Sequence, residues 1–342
     1  MKAFILSLDG TLESARRALG AVACANVKSS QGKRLFDKGH VFAEGDITVL
    51  SQMQGIGLSL IMPEDGDVHE NEAALRLARA VAGEGVEATG PSEAKARLVA
   101  RDTGLLRVDA GTLEAMNSIP TVSIYTLLDG QPVMSGVTVA EAKVTPLVVA
   151  AADIEEAEAF AANDIAPTVA VLPFVPVQAA ALIRERISPA QAQRVAEGLS
   201  NKLKWFGSTL EDVQYVAPDA SAEAIAAAMR NSLVARAGLL LVSGGSASDP
   251  SDPLLSALDH ISARIERIGI PAHPGSMLWL AYAGDVPIVG VPSCGIFSQV
   301  TSFDLVLPTL LAGQPVTSAT FASLGHGGLL QAADPRLPRY GE

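Results

Sequence analysis

The sequence predicts an α/β protein: a mostly parallel sheet layered between helices in the C-terminal half, with a smaller α+β module ahead of it. Three observations carry that expectation. From about residue 166, apolar runs of strand length alternate with amphipathic helical stretches, the pattern of a parallel sheet covered on both faces. Residues 1–150 instead hold short β units and one clear helix. The interior must be mainly aliphatic, because hydrophobic residues make up 49% of the 342-residue chain, aromatics 4% and charged residues 18%. Such a chain can bury more than one core, and its composition argues against disorder.

In chain order, KAFILSL (2–8) reads as a strand. Residues 38–55 join a turn at Lys38-Gly39-His40 to a short helix opening near Asp46. LSLIMP (58–63) is the next strand. Over 67–83 the spacing predicts a helix with Leu75, Ala78, Val81 and Ala82 on one face. Its acidic first turn suits the positive end of the helix dipole. GLLRVD (104–109) and PTVSIYTL (120–127) read as extended. The Ala- and acid-rich stretch 149–164 predicts an exposed helix joining two domains, 1–150 and 151–342.

Beyond that boundary, PTVAVLPF (167–174) reads as a buried strand. Residues 188–207 predict a helix with Ser188 as N-cap and Pro189 at its first position, where a missing N–H does no harm. Val195, Leu199, Leu203 and Phe206 form its apolar face. A strand (211–218), a helix (221–237) and a strand (238–245) follow. Residues 253–269 read as one helix with Leu254, Leu258, Ile261 and Ile265 inward. A strand (286–292) and a helix (297–313), which Pro308 should kink, complete the pattern. There is no internal repeat and no low-complexity tract.

The formal net charge of −12 excludes a general electrostatic grip on nucleic acid or an anionic membrane. An anionic small ligand would have to be held by local N–H groups and dipoles. Two cysteines, Cys24 and Cys294, are too few for a disulfide framework or a Cys-rich zinc site. They read as reduced thiols of a cytoplasmic protein. The N-terminus meets Asp9 and Glu13 early and shows no cleavage site, so no signal peptide is expected. No apolar stretch reaches membrane-spanning length.

In an open α/β sheet, ligands sit at the carboxyl ends of the strands. Three loops meet that description. The first runs from Ser243 through Gly244, Gly245, Ser246, Ala247 and Ser248 to Asp252; the others are His273-Pro274-Gly275-Ser276 and Pro292-Ser293-Cys294-Gly295. In the first, glycines let backbone N–H groups approach a ligand, and the following helix start favours an anion such as phosphate. The alternative is an ordinary strand–turn–helix junction. Asp252 before Pro253 is either a helix N-cap or a carboxylate that holds Mg²⁺ near a phosphate. His273 is either a ligand contact or a polar turn residue, and Cys294 either a thiolate at a helix start or an inert small residue. No Ser–His–Asp triad, Walker loop, HExxH or CxxC motif is evident.

The order and spacing of the three loops resemble the molybdopterin-binding domain of molybdopterin adenylyltransferase and of gephyrin-type molybdopterin molybdotransferase. SGGSASDPSD (243–252), HPGSM (273–277) and GVPSCG (290–295) follow the family's order. That order is a Gly-Gly turn after a strand, an acidic residue, a Pro-Gly loop, and a second Pro-Gly loop opening a helix. In ungapped register the family's functional aspartate falls on Asp252. KGHVFAEGDITVL (38–50), DVHENEAALRLA (67–78), GLLRVDAGTLEAMN (104–117) and LGHGGLL (324–330) resemble one subfamily, which carries an extra N-terminal module and is in part fused to a molybdenum cofactor nucleotidyltransferase. The departures are Ser293 in place of the second glycine, Ala247 in the Gly-rich run, and no LAAGxSxRMG segment.

The resemblance implies a three-layer α/β/α molybdopterin-binding domain behind a gephyrin-like α+β module. It implies that Ser243, Gly244, Gly245, Ser246 and Ser248 cradle the phosphate of molybdopterin. Pro274, Gly275, Ser276, Pro292 and Ser293 would line the rest of the pocket. Asp252 would be the catalytic residue and the Mg²⁺ ligand, with ATP or AMP and molybdate as further ligands. The implied role is molybdenum cofactor biosynthesis, by adenylyl transfer or molybdate insertion; the alternative is a non-catalytic carrier or scaffold delivering the pterin to a molybdoenzyme. Other cofactor-biosynthesis proteins and a homo-oligomer are the implied partners. Lys38, His40 and Lys143 either complete a neighbour's site in such an oligomer or are solvated surface.

Overall fold

In the computed structural model of the chain, residues 1–92, 94–162, 166–244, 249–292, 295–296, 300–331, 334 and 336–340 are described. The chain divides into two units. One comprises Met1–Asp102, Leu106–Asp129 and Met134–Val171; the other comprises Thr103–Leu105, Gly130–Val133 and Leu172–Glu342.

The first unit opens with β1 (Lys2–Asp9), α1 (Leu12–Arg16), β2 (Val22–Ala23), β3 (Val27–Lys28), β4 (Arg34–Phe36), α2 (Ile47–Leu50) and β5 (Gln54–Met62). β5 lies antiparallel between β1 and β2, and β3 pairs with β4. Alternation along β1 sends Leu6 and Leu8 inward, against Leu50, Leu58, Leu60 and Phe42. Next come β6 (Asp67–His69), α3 (Glu70–Val81), β7 (Val86–Ser92), β8 (Lys95–Ala100), β9 (Gly104–Val108), α4 (Ala110–Asn117), β10 (Val122–Thr126), β11 (Pro132–Val133), β12 (Thr138–Val144), β13 (Val148–Ala150) and α5 (Ala151–Ala162). A four-stranded sheet has the order β10-β12-β8-β7.

The α3 helix buries Ala73, Ala74, Leu77, Ala78 and Val81, together with Glu70. Leu77 rather than Leu75 therefore points to the core. The α5 helix is not a free connector. Ile154 and Ala157, one turn apart, are buried, and Glu158 takes two hydrogen bonds from Arg76 of α3, at 2.8 and 2.6 Å. That packing ties the helix to the first unit, which extends to Val171 instead of ending at 150.

The chain continues with β14 (Val169–Pro173), β15 (Gln178–Ile183), α6 (Pro189–Trp205), β16 (Thr209–Tyr215), α7 (Ala222–Val234), β17 (Leu239–Ser243), α8 (Pro253–His260), β18 (Arg264–Ile268), β19 (Trp279–Ala283) and β20 (Val286–Gly290), then helices Ser302–Leu311 and Ser318–Ser323. A six-stranded, mostly parallel sheet has the order β16-β15-β17-β20-β19-β18. β16, β15, β17 and β20 are parallel, and β19 and β18 are antiparallel additions. The α6 and Ser302–Leu311 helices pack on one face of this sheet, and α7 and α8 on the other. This is the α/β/α layering that the sequence predicts.

Two details depart from expectation. β14 belongs to a small sheet with β9 and β11, so the parallel sheet begins with QAAALI (178–183). The 253–269 stretch is not one helix. The α8 helix stops after His260, Ser262 takes a left-handed φ of 55°, and β18 begins at Arg264. Ile265 is consequently exposed on the sheet's edge strand. Helix Ser302–Leu311 runs through Pro308. No helix among the described residues is long and apolar enough to cross a membrane.

Two tests follow from these environments. A Cβ at Gly290 would lie 1.9 Å from the Trp279 indole, so the backbone of β20 forms the floor on which that ring rests. Gly290→Ala should destabilise the protein by about 1–3 kcal/mol through overpacking. Urea unfolding followed by tryptophan fluorescence measures it, and Trp279→Leu in the same chain should recover part of the loss. Burial holds the Glu70 carboxyl above the usual glutamate range, against the pull of His69, Lys38 and Lys143. The native state then binds more protons than the unfolded chain from the ordinary glutamate pKa up to the raised one, and stability falls as pH rises through that window. Glu70→Gln should therefore be more stable than the parent at neutral pH. The gain should vanish in unfolding curves taken below the ordinary glutamate pKa.

Candidate functional site

The parallel strands of the second unit end on a common edge. Ile183 pairs with Ser243, and Val242 with Gly290, so Arg184, Gly244 and Val291 lead off the strand ends side by side. β19 runs antiparallel to β20 with Trp279 opposite Gly290, which brings 269–278 to the same edge. The described parts of the three loops predicted from sequence thus start from one edge. After β15 the chain turns to α6 on one face, and after β17 to α8 on the other. This is a topological switch point, where open α/β sheets form their binding crevice.

A buried charge pair spans the switch point. Arg184 and Asp252 are each 8% exposed at the side chain and meet at 2.7 Å. The Arg184 Nε donates to the Gly244 carbonyl at 2.9 Å. Asp252 caps α8: its Oδ1 accepts the Leu254 N–H at 2.8 Å while its Oδ2 takes Arg184. Beside them the buried Ser243 hydroxyl donates to Glu185 Oε1 at 2.5 Å. Gly244 has φ +87°, and a Cβ there would meet the Arg184 carbonyl oxygen at 2.2 Å. The backbone crossing over Arg184 therefore requires this glycine by itself.

The second loop is held by helix Ser302–Leu311. Gly275 has φ +103°, and a Cβ would lie 2.3 Å from Ser302 Oγ. That hydroxyl donates to the Gly275 carbonyl at 2.6 Å, and the Ser302 N–H donates to the Pro274 carbonyl at 2.8 Å. The helix start is fixed by Asp304, whose Oδ2 accepts the Thr301 N–H at 2.7 Å and whose Oδ1 pairs with the buried Lys202 of α6. Burial pushes the Lys202 ammonium below its usual range while Asp304 pulls the other way. Tyr340 lies over the same ammonium, with its ring centroid at 4.9 Å. The C-terminal segment closes the loop from outside. The His273 N–H donates to the Gly328 carbonyl and the Leu330 N–H to the His273 carbonyl, both at 2.7 Å. This assigns a place to LGHGGLL.

Of the predicted site residues, Ser243 is buried and engaged with Glu185, Gly244 and Gly275 are pressed against protein, and Ser276 is exposed. Pro274 and Pro292 are partly exposed at the edge. Gly245, Ser246, Ser248 and Ser293 lie outside the described residues, as do Ala247 and Cys294. Both oxygens of Asp252 are taken by protein donors. It is placed as a helix cap and ion-pair partner. Among the described residues no group of three or more His, Cys, Asp or Glu could hold a metal ion. Reading the sequence missed Arg184 and Glu185. The signal was there, in the first polar residues after the apolar run QAAALI, but that run was not read as a strand.

No protein-family model matches the chain, and no curated protein matches it. Among solved structures, one similar chain is the molybdopterin biosynthesis MoeA protein from Pyrococcus horikosii, at 13% identity and a TM-score of 0.30 over 72% of this chain and 79% of that one.

Removing one partner of a buried pair strands the other charge. Arg184→Met should cost about 3–5 kcal/mol in denaturant unfolding. Adding Asp252→Asn should recover much of that, because the amide keeps the Leu254 cap without a buried charge. Equal losses in the single and double variants would show that the loss does not come from a stranded buried charge.

Proposed function

We propose that the second unit binds molybdopterin, or a phosphorylated precursor of the molybdenum cofactor, at the edge between β15 and β17. The observation that carries this reading is that Gly244, 273–276 and 291–292 follow strand ends on one sheet edge, with Asp252 tied to it through Arg184. They belong to the three segments whose residues resemble the molybdopterin-binding pattern. The start of α8 supplies a positive dipole end, and the Arg184 beside Gly244 has its charge balanced by Asp252. The rest of the phosphate cradle falls to Gly245, Ser246 and Ser248. Ser276 and Pro292 line the approach.

Two roles are compatible with such a site. With ATP or AMP, Mg²⁺ and molybdate as co-ligands, it would serve adenylyl transfer or molybdate insertion. The engagement of Asp252 by Arg184 and Leu254 favours the second role, a carrier that holds the pterin for other cofactor-biosynthesis proteins or a molybdoenzyme. In that role the chain's residues bind and orient the phosphate, and no proton or phosphoryl group moves.

Titration of the purified chain with molybdopterin, followed by calorimetry, tests the reading. Saturable binding is expected. Ser276→Glu puts a negative charge on the exposed second loop and should weaken it roughly tenfold, about 1.4 kcal/mol, without changing the melting temperature. Absence of pterin binding would sink the proposal. Steady AMP-pterin formation from ATP and molybdopterin would replace the carrier role with the enzymatic one.

A further inference from the structure

The first unit contains a cleft of its own, about 770 Å³ in volume. That lies within the range of small-molecule sites, roughly 300–1,000 Å³. Its charged lining is unusual. Glu70, the first residue of α3, faces the cleft yet is only 7% exposed. Its carboxylate has no hydrogen-bond or ion-pair partner among the described residues. Its backbone N–H donates to the Leu147 carbonyl at 2.8 Å, which fixes where α3 begins. The turn at Gly39 lies against the carboxylate: a Cβ there would sit 2.5 Å from Oε1. His69 holds the Gly39 carbonyl through Nε2 at 2.9 Å. The carboxylate is therefore confined, and glycine at 39 is what leaves it room.

The Glu70 oxygens are not among the fully enclosed side-chain atoms that lack a partner, so they open onto the cleft, where a ligand can reach them. Lys38 and Lys143 line the same cleft and attract Glu70 electrostatically, but neither forms an ion pair with it. Arg34, also in the lining, is paired with Asp37 at 3.0 Å. The cleft thus offers a confined acceptor and two amines. A lone cation would satisfy Glu70 but be repelled by the lysines. A lone phosphate would satisfy the lysines but be repelled by Glu70. A ligand suits both only if it carries donors and negative charge on separate groups. A carboxylate is best met by two adjacent, parallel N–H bonds, the pattern of an amino-pyrimidinone edge.

We propose that this cleft binds a phosphorylated nitrogen heterocycle, with two adjacent N–H donors on Glu70 and the phosphate between Lys38 and Lys143. The site is separate from the sheet edge of the second unit and does not depend on the reading given to it.

Guanosine 5′-monophosphate is the probe, titrated into the full chain by calorimetry, with ribose 5-phosphate as the comparison. Saturable binding of the nucleotide is expected, with ribose 5-phosphate at least roughly tenfold weaker. Glu70→Gln should bring the nucleotide down to the ribose 5-phosphate level and leave ribose 5-phosphate unchanged. Lys38→Ala with Lys143→Ala should weaken both ligands. Ser276→Glu should leave all of these affinities unchanged. The proposal is overturned if the nucleotide does not bind or binds no better than ribose 5-phosphate. It is also overturned if Glu70→Gln has no effect, or if Ser276→Glu abolishes binding and so places the nucleotide at the second unit's edge.

Discussion

The strands β15 and β17 lie side by side up to Ile183 and Ser243, and from there their chains leave toward opposite faces of the sheet. The Arg184–Asp252 pair spans that parting. Such a pair is not a source of stability in itself, because burying two charges costs about as much as their attraction returns. Its effect is positional. Arg184 ties the end of β15 to the first residue after β17 through Nε and to the cap of α8 through Nη2. The start of α8 cannot move without unpairing a buried charge. The orientation of its dipole follows from that constraint.

A second fixed point does the same for the neighbouring loop. Asp304 both caps its own helix and neutralises Lys202, so the helix start is anchored to α6. Ser302 then grips the Pro274 and Gly275 carbonyls. In both places a carboxylate at a helix N-terminus is shared with a buried cation from another element. Capping and charge pairing are usually separate devices. Combining them on one carboxylate makes loop position depend on packing deep in the sheet, and this is how a rigid scaffold holds a ligand edge.

The fold was legible wherever periodicity was strong. Ser188-Pro189 opening α6, and the aliphatic run of β17, left one reading each. QAAALI escaped because alanine favours helices and is depleted in strands; only burial on both faces of a central strand makes it extended. The 253–269 stretch misled for the opposite reason. Leu254, Leu258, Ile261 and Ile265 keep a helical spacing, and the break at Ser262 is a backbone event that no side chain announces. The site was half legible. Small residues at strand ends marked the loops, but the charge that organises them comes from a strand separated from Asp252 by 68 residues in sequence.

Two acidic residues show what sequence alone could not weigh. Asp252 stands in the Gly- and Ser-rich loop, and Glu70 in the acidic first turn of the 67–78 stretch. Both open helices and both are buried. What separates them is satisfaction. Asp252 has a protein donor on each oxygen. Glu70 has neighbouring charges but no donor, and its carboxyl is held above the usual range by burial. A buried acceptor is available to a ligand only to the extent that the protein has left it unmet. By that criterion the more available acceptor of the two is Glu70, in the first unit.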